Sequence, residues 1–93
     1  MTDGRYRVEI APAAQRQFRR LPPGDAARLR GPTLALAIEP HPAGARKLPS
    51  TDFWRLRVGD LRIVYLIDEP GRLVIGLKVA RRSERSYRRL GTR

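Results

Sequence analysis

Cationic side chains recur at alternate positions around a predicted hairpin in the C-terminal half of the sequence. Gly59 and Asp60 form a two-residue turn signal, with glycine at the first central position. If they are the loop, the register of the two strands places Arg57 directly opposite Arg62. Guanidinium groups bind phosphate through planar, bidentate hydrogen bonds. The pair therefore predicts a phosphate-binding face.

The next strand extends the predicted row of cations. Matching its apolar face to its neighbour places Lys78 opposite Arg62, and Arg55 lies two residues along on the same face. Arg81 and Arg82 follow at the same end of the sheet. Directly opposed like charges destabilise a sheet by up to about 1 kcal/mol. A cationic patch that binds phosphate explains them better than folding does, although a solvated face with splayed side chains remains the alternative.

Metal-free RNA cleavage is one chemistry that such a patch supports. The 2′-OH attacks the adjacent phosphate, which requires a base, cations for the developing charge and an acid for the leaving oxygen. His41 lies between two prolines and is more typical of a surface residue. Glu84 is a base or, more typically, an ion-pair partner of arginine. Tyr87 is a proton-transfer group or a packing residue.

Several other kinds of site are absent from the sequence. There is no cysteine, and the HExxH, paired-histidine and P-loop patterns are missing. No cluster of carboxylates suits Mg²⁺. We therefore predict no metal and no cofactor. No apolar run approaches the ~18 residues of a membrane span, so we expect a cytoplasmic protein.

The elements that must position these residues follow from hydrophobic periodicity. Alternation predicts strands, i/i+4/i+7 spacing predicts helices, and the Pro- and Gly-rich stretch at 39–50 predicts a loop. The second helix should begin after Asp25 and kink or break at Pro32. The predicted strands are 5–10, 53–58, 61–67 and 72–79, and the predicted helices are 12–21, 25–38 and 83–90.

The order βααβββα predicts a single α+β domain over residues 1–93. An antiparallel sheet of about four strands should be covered on its apolar face by the N-terminal helical hairpin, with a short C-terminal helix. Trp54 and Tyr65 fall on the apolar face and are expected in the core rather than against a nucleic-acid base.

The overall charge agrees with a polyanionic partner. Twenty Lys and Arg residues against nine Asp and Glu give a net charge of +11 on 93 residues. That exceeds what solubility alone needs, although a solubility role is the alternative.

The sequence resembles the RelE/ParE family of bacterial toxins over nearly its whole length. The stretch at 54–65, WRLRVGDLRIVY, is the specific part, supported by YRVEI at 6–10, the LPP break at 21–23 and VARR at 79–82. The resemblance implies the toxin of a type II toxin–antitoxin module. In the RelE branch it implies cleavage of mRNA on the ribosome, and in the ParE branch inhibition of DNA gyrase.

We favour the RelE branch, with the cognate antitoxin, the ribosome and mRNA as partners. The catalytic residues would be Arg57, Arg62, Arg82 and Tyr87, and the RNA-binding residues Arg55, Lys78, Arg81 and Arg85. Arginine does not lose a proton at neutral pH, so the general base stays unassigned. A ParE-like gyrase inhibitor and a non-toxic RNA-binding protein are the alternatives.

Overall fold

A mixed five-stranded sheet with two helices makes up the structure, a computed structural model that describes residues 5–81. The elements in chain order are β1 (Arg7–Ile10), α1 (Pro12–Arg20), α2 (Pro23–Ala35), β2 (Ala45–Lys47), β3 (Phe53–Val58), β4 (Leu61–Asp68) and β5 (Leu73–Arg81). The strand order in the sheet is β1-β5-β4-β3-β2. The predicted α+β class and helical hairpin are confirmed. The predicted C-terminal helix lies outside the described residues.

Two features of the sheet differ from the prediction. Residues 45–47, expected in a loop, form the short edge strand β2 against β3. Strand β1 pairs with β5 in parallel, so the sheet is mixed rather than wholly antiparallel. No tight turn joins β1 to the sheet, because the helical hairpin intervenes, and hydrophobic alternation carries no information on strand direction.

Helix α1 begins where the sequence predicted, whereas α2 differs from the prediction at its start and at Pro32. Helix α1 starts with Pro12 in its first turn, as expected, since proline lacks only a donor that has no partner there. Helix α2 begins at Pro23, so Asp25 lies in its first turn rather than at its N-cap. It also continues through Pro32 without a break. The buried Thr33 hydroxyl next to this proline donates to the Leu29 carbonyl at 2.8 Å.

The core lies between the two helices and one face of the sheet. Its fully buried large side chains are Leu29, Leu36, Leu61, Ile63, Tyr65 and Val74. Leu29, Thr33 and Leu36 share one face of α2 at i, i+4 and i+7. Leu34 and Ile38, apolar residues of the predicted second helix, lie off this face and are exposed, at 57% and 67%.

A β-bulge divides the pairing of β4 with β5. The register shifts between Val64 and Tyr65, so the alternation of β5 changes face partway along the strand. Val74 and Gly76 are buried and face the core, whereas the larger apolar residues Leu73 and Ile75 lie on the other face. A Cβ on Gly76 would lie 2.9 Å from Ile10 Cδ1 and 3.2 Å from Ile63 Cδ1. Glycine at this position lets the two isoleucines close over the strand.

Candidate nucleic-acid interface

The opposite face of the sheet, here called the open face, carries four of the five predicted site residues that the structure describes. It comprises Arg7, Glu9, Arg46, Phe53, Arg55, Arg57, Arg62, Val64, Leu66, Leu73, Ile75, Lys78 and Ala80, which pair across neighbouring strands. None of these side chains belongs to the core cluster that the helices form.

Arg57 and Arg62 are directly opposed, as the hairpin turn predicted. The pairing runs from Val58 opposite Leu61 through Arg57 opposite Arg62. Gly59 adopts a positive φ of 62°, which makes the tight turn possible. Directly opposed residues have their Cβ atoms about 5 Å apart, so two guanidinium groups are held on adjacent strands.

A second pair of opposed arginines lies on the same face. Arg46 of β2 is opposite Arg55 of β3, two residues along from Arg57. Arg46 was not singled out from the sequence. A three-residue strand is too short to show alternation, and its position became visible only with the strand pairing. We refer to Arg46, Arg55, Arg57 and Arg62 as the cation patch.

Two members of the cation patch have unused hydrogen-bonding capacity among the described residues. The Nε atom of Arg55 is buried and donates to no atom within residues 5–81. Over the same range, neither a hydrogen bond nor an ion pair holds the Arg57 side chain. A buried donor without an acceptor is costly, so a rotation of the Arg55 side chain that brings its Nε to an anion on the open face would be favourable.

The predicted position of Lys78 is wrong by two residues. Lys78 is opposite Val64, and Ala80 is opposite Arg62. The bulge and the four-residue turn before β5 change the register that matching of apolar faces had suggested. Lys78 remains on the open face, diagonal to Arg62 and on the side of Val64, so it borders the cation patch without continuing the row.

Arg81 lies at the expected end of the sheet but on the helix-covered side, opposite Leu61. Its Nη1 donates to Asp60 Oδ2 at 2.7 Å, and its Nη2 donates to Asp25. Arg28 joins the same carboxylates, at 2.9 Å from Asp25 and 3.4 Å from Asp60. The hydrogen bond from Arg81 lowers the pKa of Asp60, and the hydrogen bond to Asp25 raises the pKa of Arg81.

This ion-pair network has two consequences for the site. It ties the β3–β4 turn and the end of β5 to the first turn of α2. It also engages the Asp60 carboxylate with cations of the helix side, although Asp60 is only three residues from Arg57. The two aspartates offset the charge of Arg81, so it is a weaker candidate for anion binding than Arg57.

The remaining candidates are not part of the cation patch. His41 packs edge-on against Trp54, with ring centroids 4.8 Å apart, and its Nε2 is 3.4 Å from Glu69. Tyr65 is buried and donates to the Pro40 carbonyl at 2.8 Å. Burial, with a smaller effect of Glu39, raises the pKa of Tyr65 to about 12, so this phenol stays neutral.

Three predicted site residues, Arg82, Arg85 and Tyr87, lie outside the described residues, as does Glu84. Within residues 5–81, no group of three His, Asp or Glu side chains is placed to hold a metal ion. No helix in that part of the chain has the length and apolar character to cross a membrane. The described part of the site is therefore an arginine surface suited to binding anions.

Comparison with known proteins identifies the fold. The RelBE2 toxin–antitoxin complex from Mycobacterium tuberculosis contains a chain of 27% identity and TM-score 0.77, covering 84% of this chain and 99% of that one. The archaeal RelE–RelB complex from Pyrococcus horikoshii OT3 contains one of 28% identity and TM-score 0.75, covering 84% and 96%. The isolated E. coli RelE toxin shares the fold at 16% identity and TM-score 0.74, covering 91% and 98%.

Sequence comparison gives the family. No curated protein sequence matches the chain. The profile described as the ParE toxin of the type II toxin-antitoxin system parDE matches residues 8–86, which is most of the chain. With that match and the shared fold, the chain belongs to the RelE/ParE family, the toxins of type II toxin–antitoxin modules.

Proposed function

We propose that this toxin is a RelE-like, metal-independent endonuclease that cuts mRNA on the ribosome. The observation that carries the proposal is the direct opposition of Arg57 and Arg62 on a face that the helices leave uncovered. The fold supports it as well, since the compared toxins of 27% and 28% identity come from RelBE and RelE–RelB complexes.

The cleavage step would use the RNA itself as nucleophile. The 2′-OH gives its proton to a general base, its oxygen attacks the neighbouring phosphorus, and the bond from phosphorus to the 5′-oxygen breaks. An acid protonates the leaving 5′-oxygen, and the products are a 2′,3′-cyclic phosphate and a 5′-hydroxyl. Arg57 and Arg62 would hold the two non-bridging oxygens and stabilise the charge that develops on them. Neither arginine can serve as the base, because a guanidinium stays protonated at neutral pH.

The other predicted residues complete the proposal. Arg82 would supply a third cation at the scissile phosphate, and Tyr87 would protonate or orient the leaving oxygen. Arg55 and Lys78 would contact flanking phosphates from the open face, and Arg85 would add an RNA contact from the C-terminal segment. We place the reaction in the cytoplasm, where ribosomes and mRNA are found.

A cognate antitoxin is the proposed protein partner, as in the RelBE complexes. An acidic or amphipathic segment would cover the cation patch and neutralise it by charge complementarity. The apolar part of such a segment could bind a second surface, which is apolar. A groove of about 320 Å³ between α1 and α2 is lined by Phe18 and the exposed Leu34, with Arg19 and Arg30 also lining it.

Mapping of mRNA ends on stalled ribosomes tests the nuclease. The purified toxin, stripped of metal with EDTA and then freed of the chelator, should cut mRNA bound to ribosomes kept assembled by Mg²⁺, and Arg62→Ala should remove most of the cutting. A toxin that leaves the mRNA intact in every codon context would refute the proposal.

Inhibition of DNA gyrase is the second candidate. It is favoured by the description of the matching family profile, which is that of ParE. A supercoiling assay separates the two functions directly. The nuclease proposal expects normal gyrase activity in the presence of the toxin, whereas a ParE-like toxin would block supercoiling and leave ribosome-bound mRNA uncut.

A further inference from the structure

An exposed aromatic ring lies on the open face beside the cation patch. Phe53 is two residues from Arg55 on β3 and is 39% exposed. Its cross-strand neighbours are Leu66 and, one strand further, Ile75. Trp54 faces the opposite way and packs against the core. Phe53 is therefore the one aromatic side chain of residues 5–81 that β3, β4 and β5 present on the open face.

The arginines and the phenyl ring are arranged along β3 in a way that suits the phosphates and a base of a nucleic-acid strand. Alternate residues of a strand are about 6.8 Å apart, so Arg57, Arg55 and Phe53 follow one another at this interval along β3. The pairs Arg57–Arg62 and Arg46–Arg55 form two successive cationic positions, and the phenyl ring follows them. Proteins bind single-stranded nucleic acids with this combination of a cationic track and an aromatic ring on which a base stacks.

The Nε of Arg55 is a second feature of this face that favours an anionic partner. It donates to no atom of the described residues, and Arg55 itself is paired with Arg46 of β2 on one side and Val64 of β4 on the other. A phosphate oxygen is an acceptor of suitable charge for a guanidinium N–H. A purely apolar partner at Phe53 would leave this donor without an acceptor.

We propose that Arg46, Arg55 and Phe53 form a flanking-nucleotide subsite. In this subsite the two arginines hold a phosphate, and the Phe53 ring stacks on the base of a nucleotide next to the scissile one. The inference rests on the proposed RNA substrate and adds two residues, Arg46 and Phe53, to the interface. The RNA strand would cross the open face from the Arg57–Arg62 pair toward Phe53, at the N-terminal end of β3.

Binding of a non-cleavable oligonucleotide tests the subsite apart from catalysis. The probe is a fluorescently labelled 2′-O-methyl RNA hexamer, and matched hexamers each carry one abasic position. Stacking on one aromatic ring corresponds to a 5- to 150-fold change in affinity, as estimated from the usual range for base stacking. Phe53→Leu should weaken binding by about that factor, and the penalty of the abasic position should then disappear.

The salt dependence of binding tests the role of the arginines. Removal of one phosphate contact should lower the slope of log affinity against log salt by about 0.7 for a single strand. Arg46→Gln should show this change. Arg7→Gln is the matched control, because Arg7 is also an arginine on the open face but pairs with Glu9 at 3.1 Å. Ile38→Ala controls for loss of an exposed apolar side chain.

The outcomes separate this subsite from the nuclease itself. Unchanged affinity of Phe53→Leu, or an abasic penalty that persists in it, overturns the subsite while cleavage by the wild type still supports the nuclease. A wild type that binds no hexamer but cuts ribosome-bound mRNA also overturns the subsite alone. A wild type that neither binds nor cuts overturns both.

Discussion

Replacement of Arg57 by threonine should make the protein more stable and less active at the same time. Arg57 is directly opposed to Arg62. Within residues 5–81, no hydrogen bond or ion pair holds the Arg57 side chain. Relief of a like-charge pair on adjacent strands is worth about 0.2–1 kcal/mol, and threonine suits a strand. For a domain of this size, that gain raises the unfolding midpoint by roughly 1–8 °C.

Activity should move in the opposite direction. Loss of one hydrogen-bonding cation at the scissile phosphate removes about 1.5–3 kcal/mol of stabilisation, which corresponds to a 10- to 150-fold slower cleavage. Thermal and urea unfolding, followed by the fluorescence of Trp54, give the stability. Single-turnover cleavage of ribosome-bound mRNA gives the rate.

Salt and a control variant isolate the electrostatic origin of the gain. In 1 M NaCl the screening length is about 3 Å, shorter than the separation of the opposed residues, so the stability difference should shrink. Arg7→Thr removes an arginine of the same face that pairs with Glu9, and it should not stabilise the protein. An Arg57→Thr protein that is less stable than the wild type, or that cuts at the wild-type rate, would refute the reasoning.

Three further predictions concern the surroundings of the site. Tyr65→Phe leaves the Pro40 carbonyl without its buried donor and should lower the free energy of unfolding by about 1–3 kcal/mol, as measured by urea titration. Because its ion pairs lower the pKa of Asp60 below 3.8 in the folded protein, Asp60 adds stability that is fully present above about pH 4 and lost as the pH falls through the folded-state pKa. Asp60→Asn should therefore unfold more easily than the wild type at pH 7, and the difference in thermal unfolding should narrow as the pH falls below about 4. Leu34→Asp should weaken antitoxin binding in calorimetry without slowing mRNA cleavage, and an unchanged affinity would remove the groove from the antitoxin interface.

The part of the site that could be predicted from sequence is the part fixed by a local turn. Gly59 and Asp60 set the β3–β4 register, and every pair from Trp54–Tyr65 to Val58–Leu61 follows from them. Glycine with positive φ at the first turn position leaves little freedom in the pairing. The opposition of Arg57 and Arg62 therefore follows from the residues of the turn alone.

The parts that could not be predicted depend on contacts distant in sequence or on irregular pairing. The bulge after Val64 and the four-residue turn before β5 together move Lys78 by two positions, and alternation alone gives no sign of the bulge. Strand β2 is only three residues long, so the Arg46–Arg55 pair had no periodic signal. The ion pairs of Arg81 with Asp25 and Asp60 depend on how α2 packs against the sheet. This packing is a tertiary contact, so local sequence patterns do not predict the ion pairs.

The most direct test of the central claim is the rate at which this toxin cuts mRNA positioned on a Mg²⁺-stabilised ribosome, measured for the wild type and Arg62→Ala after each has been stripped of metal with EDTA and freed of the chelator. We expect rapid cleavage at defined codons by the wild type and a loss of at least about tenfold in the variant, with Arg7→Ala close to the wild type. Intact mRNA with the wild type, or equal rates for the wild type and Arg62→Ala, would contradict a catalytic role of the opposed arginines.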